Sequence, residues 1–251
     1  MPGQFLRTLV SAERTVRANR QLGCTLAFIA GAVNAGGFLA IGRYTSHMTG
    51  IVSSIADDLA LSLVWPALTG AVLLLVFTAG AMVTAILANW ARQRRMHSEY
   101  ALPLMLEALL LIAFGLLGDR LDSNRTLLAP ATAVVLCFLM GLQNAVVTKI
   151  SKAVIRTTHM TGVITDLGIE LGKLVYRNTD RGIQPYRVVA DRDRLTILSM
   201  LLGCFFVGAL TGAIAFKHLG FASALPFAAM LVTLAILPIV DDLRVRAGKS
   251  L

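Results

Sequence analysis

Gly31-Ala-Val-Asn34-Ala35, followed by Thr45-Ser-His47-Met48-Thr49-Gly50, returns later in the chain as Gly141-Leu-Gln-Asn144-Ala145, followed by Thr157-Thr-His159-Met160-Thr161-Gly162. The blocks keep their order with a two-residue difference in spacing, and His-Met-Thr-Gly is identical. The correspondence continues more weakly, with Phe77, Gly80 and Ala81 matching Phe205, Gly208 and Ala209, and Ala101-Leu-Pro103 matching Ala224-Leu-Pro226. Ordered self-similarity of this kind marks a chain built from two copies of one unit.

The solvent of that unit follows from composition. Of 251 residues, 56% are hydrophobic and only 15% charged, more apolar surface than a soluble domain of this size can hide. Apolar windows long enough to cross about 30 Å of hydrocarbon fall near 22–42, 67–90, 101–118, 127–148, 195–216 and 221–240. The net charge of +9 is concentrated in short runs between them, which fits lipid headgroups and topology setting rather than nucleic acid. Arg7, Arg14, Arg17 and Arg20 precede the first window, Arg92, Arg94 and Arg95 follow the second, and Lys149 to Arg194 fills the link after the fourth. The positive-inside rule makes these segments cytoplasmic. The links with Arg43, Asp57 and Asp58, with Asp119 to Arg125, and with Lys217 and His218 are sparse or balanced in charge, and the tail with Arg244, Arg246 and Lys249 is again basic. The basic start resembles a signal peptide, but its apolar part is too long and lacks a cleavage site.

The expected fold class is an all-α integral membrane protein of about six transmembrane helices in two inverted three-helix repeats, each with a short polar helix after its first span. Residues 1–21 form a basic cytoplasmic segment, 22–240 one membrane domain (repeat 1 about 22–118, repeat 2 about 127–240), and 241–251 a cytoplasmic tail. An odd number of crossings per repeat makes the second enter the membrane upside down. The short segments, 49–63 and 161–176, are about 22 Å long if helical, too short and too polar to cross comfortably; re-entrant, interfacial and spanning placements all stay open. If they dip inward, their polar starts meet near the midplane.

The paired Asn-Ala and His-Met-Thr-Gly blocks, with the extension Gly162-Val-Ile-Thr-Asp166-Leu-Gly168, resemble the YoaK-type family of bacterial multi-pass membrane proteins, a domain of unknown function, over roughly residues 20–240. The resemblance implies a multi-pass protein of the bacterial inner membrane, and implies no substrate.

Candidate site residues come from the repeat. His47 and His159 can exchange a proton near neutral pH and stand at the start of possible half-helices; alternatively they cap helices. Thr45, Thr49, Thr157 and Thr161 carry hydroxyls suited to capping, and Gly50 and Gly162 permit close backbone approach. Facing helix starts would attract an anionic group. Asp58 aligns with Glu170 and Ser54 with Asp166, so acid and histidine together equally allow proton relay or cation binding; the plainer reading has the carboxylates facing water or paired with Lys173 and Arg177. Asn34 and Asn144, amides inside apolar spans, brace another segment or touch substrate. Glu107, about six residues into the third span, either snorkels outward or is neutralised, and its repeat mate is Met230. Gly208 with Gly212, and Gly80 with Thr84, provide close helix packing. Cys24, Cys137 and Cys204 read as small buried hydrophobes.

Three function classes accommodate these groups. A small-molecule or ion transporter with its site near the two His-Met-Thr-Gly motifs uses the inverted repeat directly. An intramembrane enzyme using the His and acid groups is the alternative, although neither GxSxG nor HExxH occurs. A membrane scaffold is the third, without a recognisable docking module. No cofactor and no metal site is expected. The lipid bilayer is the expected partner, with a solute or ion possible; oligomeric state is not legible.

Overall fold

The computed structural model describes residues 16–42, 44–94, 96, 99–123, 125–150, 158–178 and 187–247, which form α-helices joined by turns and short extended links, with no strand among them. In chain order these are α1 (Val16–Ile41), α2 (Met48–Ala60), α3 (Val64–Gln93), α4 (Ala101–Ser123), α5 (Arg125–Ile150), α6 (Met160–Val175), α7 (Arg192–Leu219) and α8 (Ala224–Ala247), with a 3-10 turn over Gly220–Ser223. The expected short segments are thus α2 and α6. The basic run Arg7 to Arg14, Arg43, Arg95, Thr157, Arg181 and the end of the tail lie outside the described residues.

Among the described residues, four stretches are long and apolar enough to cross a membrane: Arg20–Leu39, Val64–Gln93, Pro130–Lys149 and Arg192–Arg244. The last comprises two helices, α7 and α8, and α4 contributes a shorter apolar segment, Ala101–Leu116. The helices are those of a membrane protein. On α3 the bulky residues Leu68, Val72, Leu75, Met82 and Ile86 form one exposed stripe, while the buried stripe is Ala67, Gly70, Leu73, Gly80, Thr84, Ala88 and Ala91. Large side chains outward and small ones inward is the arrangement that lipid favours, since helices there associate by close backbone approach rather than by hiding apolar surface.

The small residues lie where helices of different halves cross. A Cβ on Gly208 of α7 would collide with the carbonyl oxygen of Phe28 on α1, and one on Gly31 of α1 with that of Phe205 on α7. The same pair of contacts recurs between α3 and α5, where Gly80 lies on the Phe138 carbonyl and Gly141 on that of Phe77. Gly31 and Gly141, Phe28 and Phe138, Phe77 and Phe205, and Gly80 and Gly208 are repeat mates, so the four contacts are one pair of contacts made twice. One turn further, Thr84 donates to the Leu142 carbonyl at 2.9 Å, and its mate Gly212 lies against the Ala32 carbonyl, Ala32 being the mate of Leu142. Each half therefore lends its first helix to the other half's second long helix, and α4 packs on α8.

That exchange also corrects the reading of the cysteines. Only Cys137 is buried; Cys24 of α1 and Cys204 of α7 are half-buried, and they neighbour each other across the two helices. Their separation of 180 positions hid this, because only the packing of α1 on α7 brings them together.

Candidate functional site

Asn34 lies seven residues back from the end of α1, roughly 10 Å along a helix. Its side-chain oxygen accepts from the Ser46 hydroxyl at 2.8 Å and from the Ser46 N–H at 3.4 Å. The link after Ile41 therefore turns back alongside α1, so that α2 begins level with Asn34 rather than at the end of α1. The second half repeats the device: the Asn144 oxygen accepts from the hydroxyl of Thr158, the repeat mate of Ser46, while its amide donates to the Met140 carbonyl at 2.9 Å. The asparagines brace the turn that starts each short helix, which also satisfies a polar group that would otherwise be costly among apolar helices.

His47 and His159 occupy the N-cap positions of α2 and α6, yet neither side chain makes a capping hydrogen bond. The helices start instead on main-chain bonds, Ile51 N–H to the His47 carbonyl and Val163 N–H to that of His159, each at 3.1 Å. Each imidazole lies over the first turn of its own helix, against the glycine three residues on, where a Cβ at Gly50 or Gly162 would occupy the ring's place. The spacing His-Met-Thr-Gly is thereby explained: the glycine leaves a shelf for the ring.

Both motifs open on one cavity of about 330 Å³, lined by Ser46, His47, Met48, Thr49 and Phe77 from the first half and by Asn144, Thr148, Thr158, His159, Met160 and Thr161 from the second. Hydroxyls, imidazoles and an amide line it, with no carboxylate among the lining residues, and neither α2 nor α6 has an acid in its first turn. A second cavity, of about 630 Å³, lies between α6 and α7 and is lined in part by His159, Asp166, Asp191, Asp193 and Arg194. His159 borders both.

The remaining candidates separate. Asp166 pairs with Arg194 at 3.0 Å, and Glu170, almost fully buried, accepts from Lys173 Nζ at 2.8 Å and from the Asp191 N–H at 2.9 Å. The Lys173 hydrogen bond above all, then that from Asp191, holds the Glu170 carboxyl below its ordinary range. Asp58 is half-buried on α2 and lines neither cavity. Glu107 does not snorkel: it is fully buried, and neither carboxyl oxygen has a hydrogen-bond partner among the described residues. Thr45 is also buried, with its hydroxyl unpartnered. No group of three or more metal-ligating side chains occurs among the described residues.

Sequence reasoning missed Ser46 and Thr158, although the repeat aligns two hydroxyls directly before the histidines. It read Phe77 only as the repeat match of Phe205. Arg194 carried no repeat signal, since its mate is Pro66.

A family model described as "Protein of unknown function (DUF1275)" matches residues 22–237. No curated protein and no solved structure gives a match. The chain belongs to the DUF1275 family, of which the YoaK-type proteins are members.

Proposed function

We propose that this member of a family of unknown function is an inner-membrane transporter of a small solute or ion, with its site in the cavity between the two His-Met-Thr-Gly motifs. The observation that carries the reading is that both motifs line this one cavity, each held beside the preceding long helix by an asparagine. Interrupted helices meeting at a repeat interface are how many secondary transporters build a binding site. At about 330 Å³ the space is at the small end for ligand sites, which favours an inorganic ion or a compact metabolite over a lipid or peptide. Its donors, two helix starts and two imidazoles favour a solute bearing acceptor oxygens or negative charge.

The membrane arrangement belongs to the same proposal. Six crossings are assigned to α1, α3, α4, α5, α7 and α8, with α2 and α6 re-entrant and both termini cytoplasmic. The basic links support this orientation, and the reciprocal contacts of α1 with α7 and of α3 with α5 support two units related by a two-fold axis.

Reconstituted protein supplies the test, with uptake measured across a panel of inorganic anions, small carboxylates and small cations. His47→Ala combined with His159→Ala removes flux while membrane insertion and thermal stability are retained. Flux unchanged in that variant contradicts the site.

A further inference from the structure

The two short helices are held to their neighbours by opposite means. On α2, Ile51 and Ile55 face Gly70 of α3, and a Cβ added at Gly70 would sit 2.7 Å from Ile55 Cγ1. That contact is apolar and close, with no room to spare. On α6 the mates of Ile51 and Ile55 are Val163 and Leu167, and the mate of Gly70 is Leu198. A leucine in place of the glycine props α6 away from α7, and the cavity of about 630 Å³, lined by Val163, Ile197, Leu198 and Leu201, lies there.

What spans that gap is polar. Asp166 reaches Arg194 at 3.0 Å, and Glu170, one turn further, reaches the Asp191 N–H at 2.9 Å. In the other half the mates of Asp166 and Arg194 are Ser54 and Pro66, so no ion pair can form there. No residue of α2 is fully buried, but its contact at Gly70 is backbone-close, and dispersion of that kind falls away steeply once the helices part. A partly exposed ion pair contributes little, is screened by salt and exchanges readily with water.

We propose that α6 is the moving gate of the site and α2 its fixed wall, the gate being latched by the Asp166–Arg194 pair. His159, which borders both cavities, is the residue between the large cavity and the small one. When the latch opens, α6 swings on its Glu170 end and the site joins the cavity facing the basic link. The inference rests on the transporter reading for the gate's purpose, but not for its motion.

The test reads the gate without transport. Thr161→Cys is introduced in a background lacking Cys24, Cys137 and Cys204, and its labelling rate is measured with an impermeant maleimide applied from the face of the basic link. Asp166→Asn or Arg194→Gln raises the rate by up to about fivefold, the factor corresponding to an exposed pair. The reversed pair, Asp166→Arg with Arg194→Asp, returns it toward the parent value. High salt raises the rate in the parent and not in the neutralised variants, a reading that needs no latch mutation. Ser53→Cys, exposed on α2 and lining neither cavity, shows none of these changes. Rates independent of salt and of the pair, or equal changes at Ser53→Cys, overturn the gate. A gate that opens on cue in a protein that moves no solute contradicts the transporter reading alone.

Discussion

At His47 and His159 the imidazole owes its place to a missing methyl group three residues on. Gly50→Ala and Gly162→Ala therefore separate stability from function. Alanine is worth up to about 1 kcal/mol over glycine inside a helix, so melting temperature holds or rises, while the displaced ring lowers flux. Parallel loss of stability and flux would mean the glycines serve only the fold. Glu170 gives a pH dependence of definite sign. Its native carboxyl is held low, so its contribution to docking α6 is complete above the unfolded value near 4.3 and is lost as pH falls through the lower native value. Amide exchange across residues 187–194, corrected for intrinsic rates, loses protection in that acid window, and Glu170→Gln removes the step. These side chains were legible unevenly. The repeat marked the histidines, glycines and asparagines because each is stated twice, and Lys173 was legible as the partner of Glu170 on its own helix; the partners on the other side of the gap, Arg194 and Asp191, were hidden because they belong to one half only.

Among the elements, the crossings of α1 with α7 and α3 with α5 depend on backbone contact at glycine. Gly208→Leu forces two main chains apart and destabilises the protein by about 1–3 kcal/mol or more, whereas Gly203→Ala, which meets nothing within 4 Å, is neutral or slightly stabilising; thermal unfolding in detergent compares them. The native thiols give a second check on which helices pair. In Cys137→Ala protein, a thiol oxidant joins Cys24 to Cys204 within one chain, and cleavage in the link before α7 then leaves fragments held together until reduction. Fragments that separate without reductant contradict the packing of α1 on α7. Helix positions were legible from apolar windows, with ends shifted by a few residues because α1 and α3 run past their apolar parts into basic segments. The partner exchange was not legible, since periodicity shows which face is small and not whose small face it meets.

For the whole molecule, the two-fold logic of the contacts and the distribution of arginine point to the same arrangement. Halves that swap their first helices form a single interlocked body, with the two short helices meeting where the halves meet. The inverted orientation expected from an odd span count is part of the proposed arrangement, and α2 and α6 give it a direct readout. Their C-cap residues, Leu61 and Tyr176, are both exposed and stand at the ends away from the shared cavity. The decisive measurement is side-specific labelling of Leu61→Cys and Tyr176→Cys, each in a background without the three native cysteines, using an impermeant maleimide on right-side-out and inside-out vesicles. The account predicts that Leu61→Cys reacts only from outside the cell and Tyr176→Cys only from the cytoplasmic face. Reaction of both from the same face would contradict the inverted repeat and the transport site built on it.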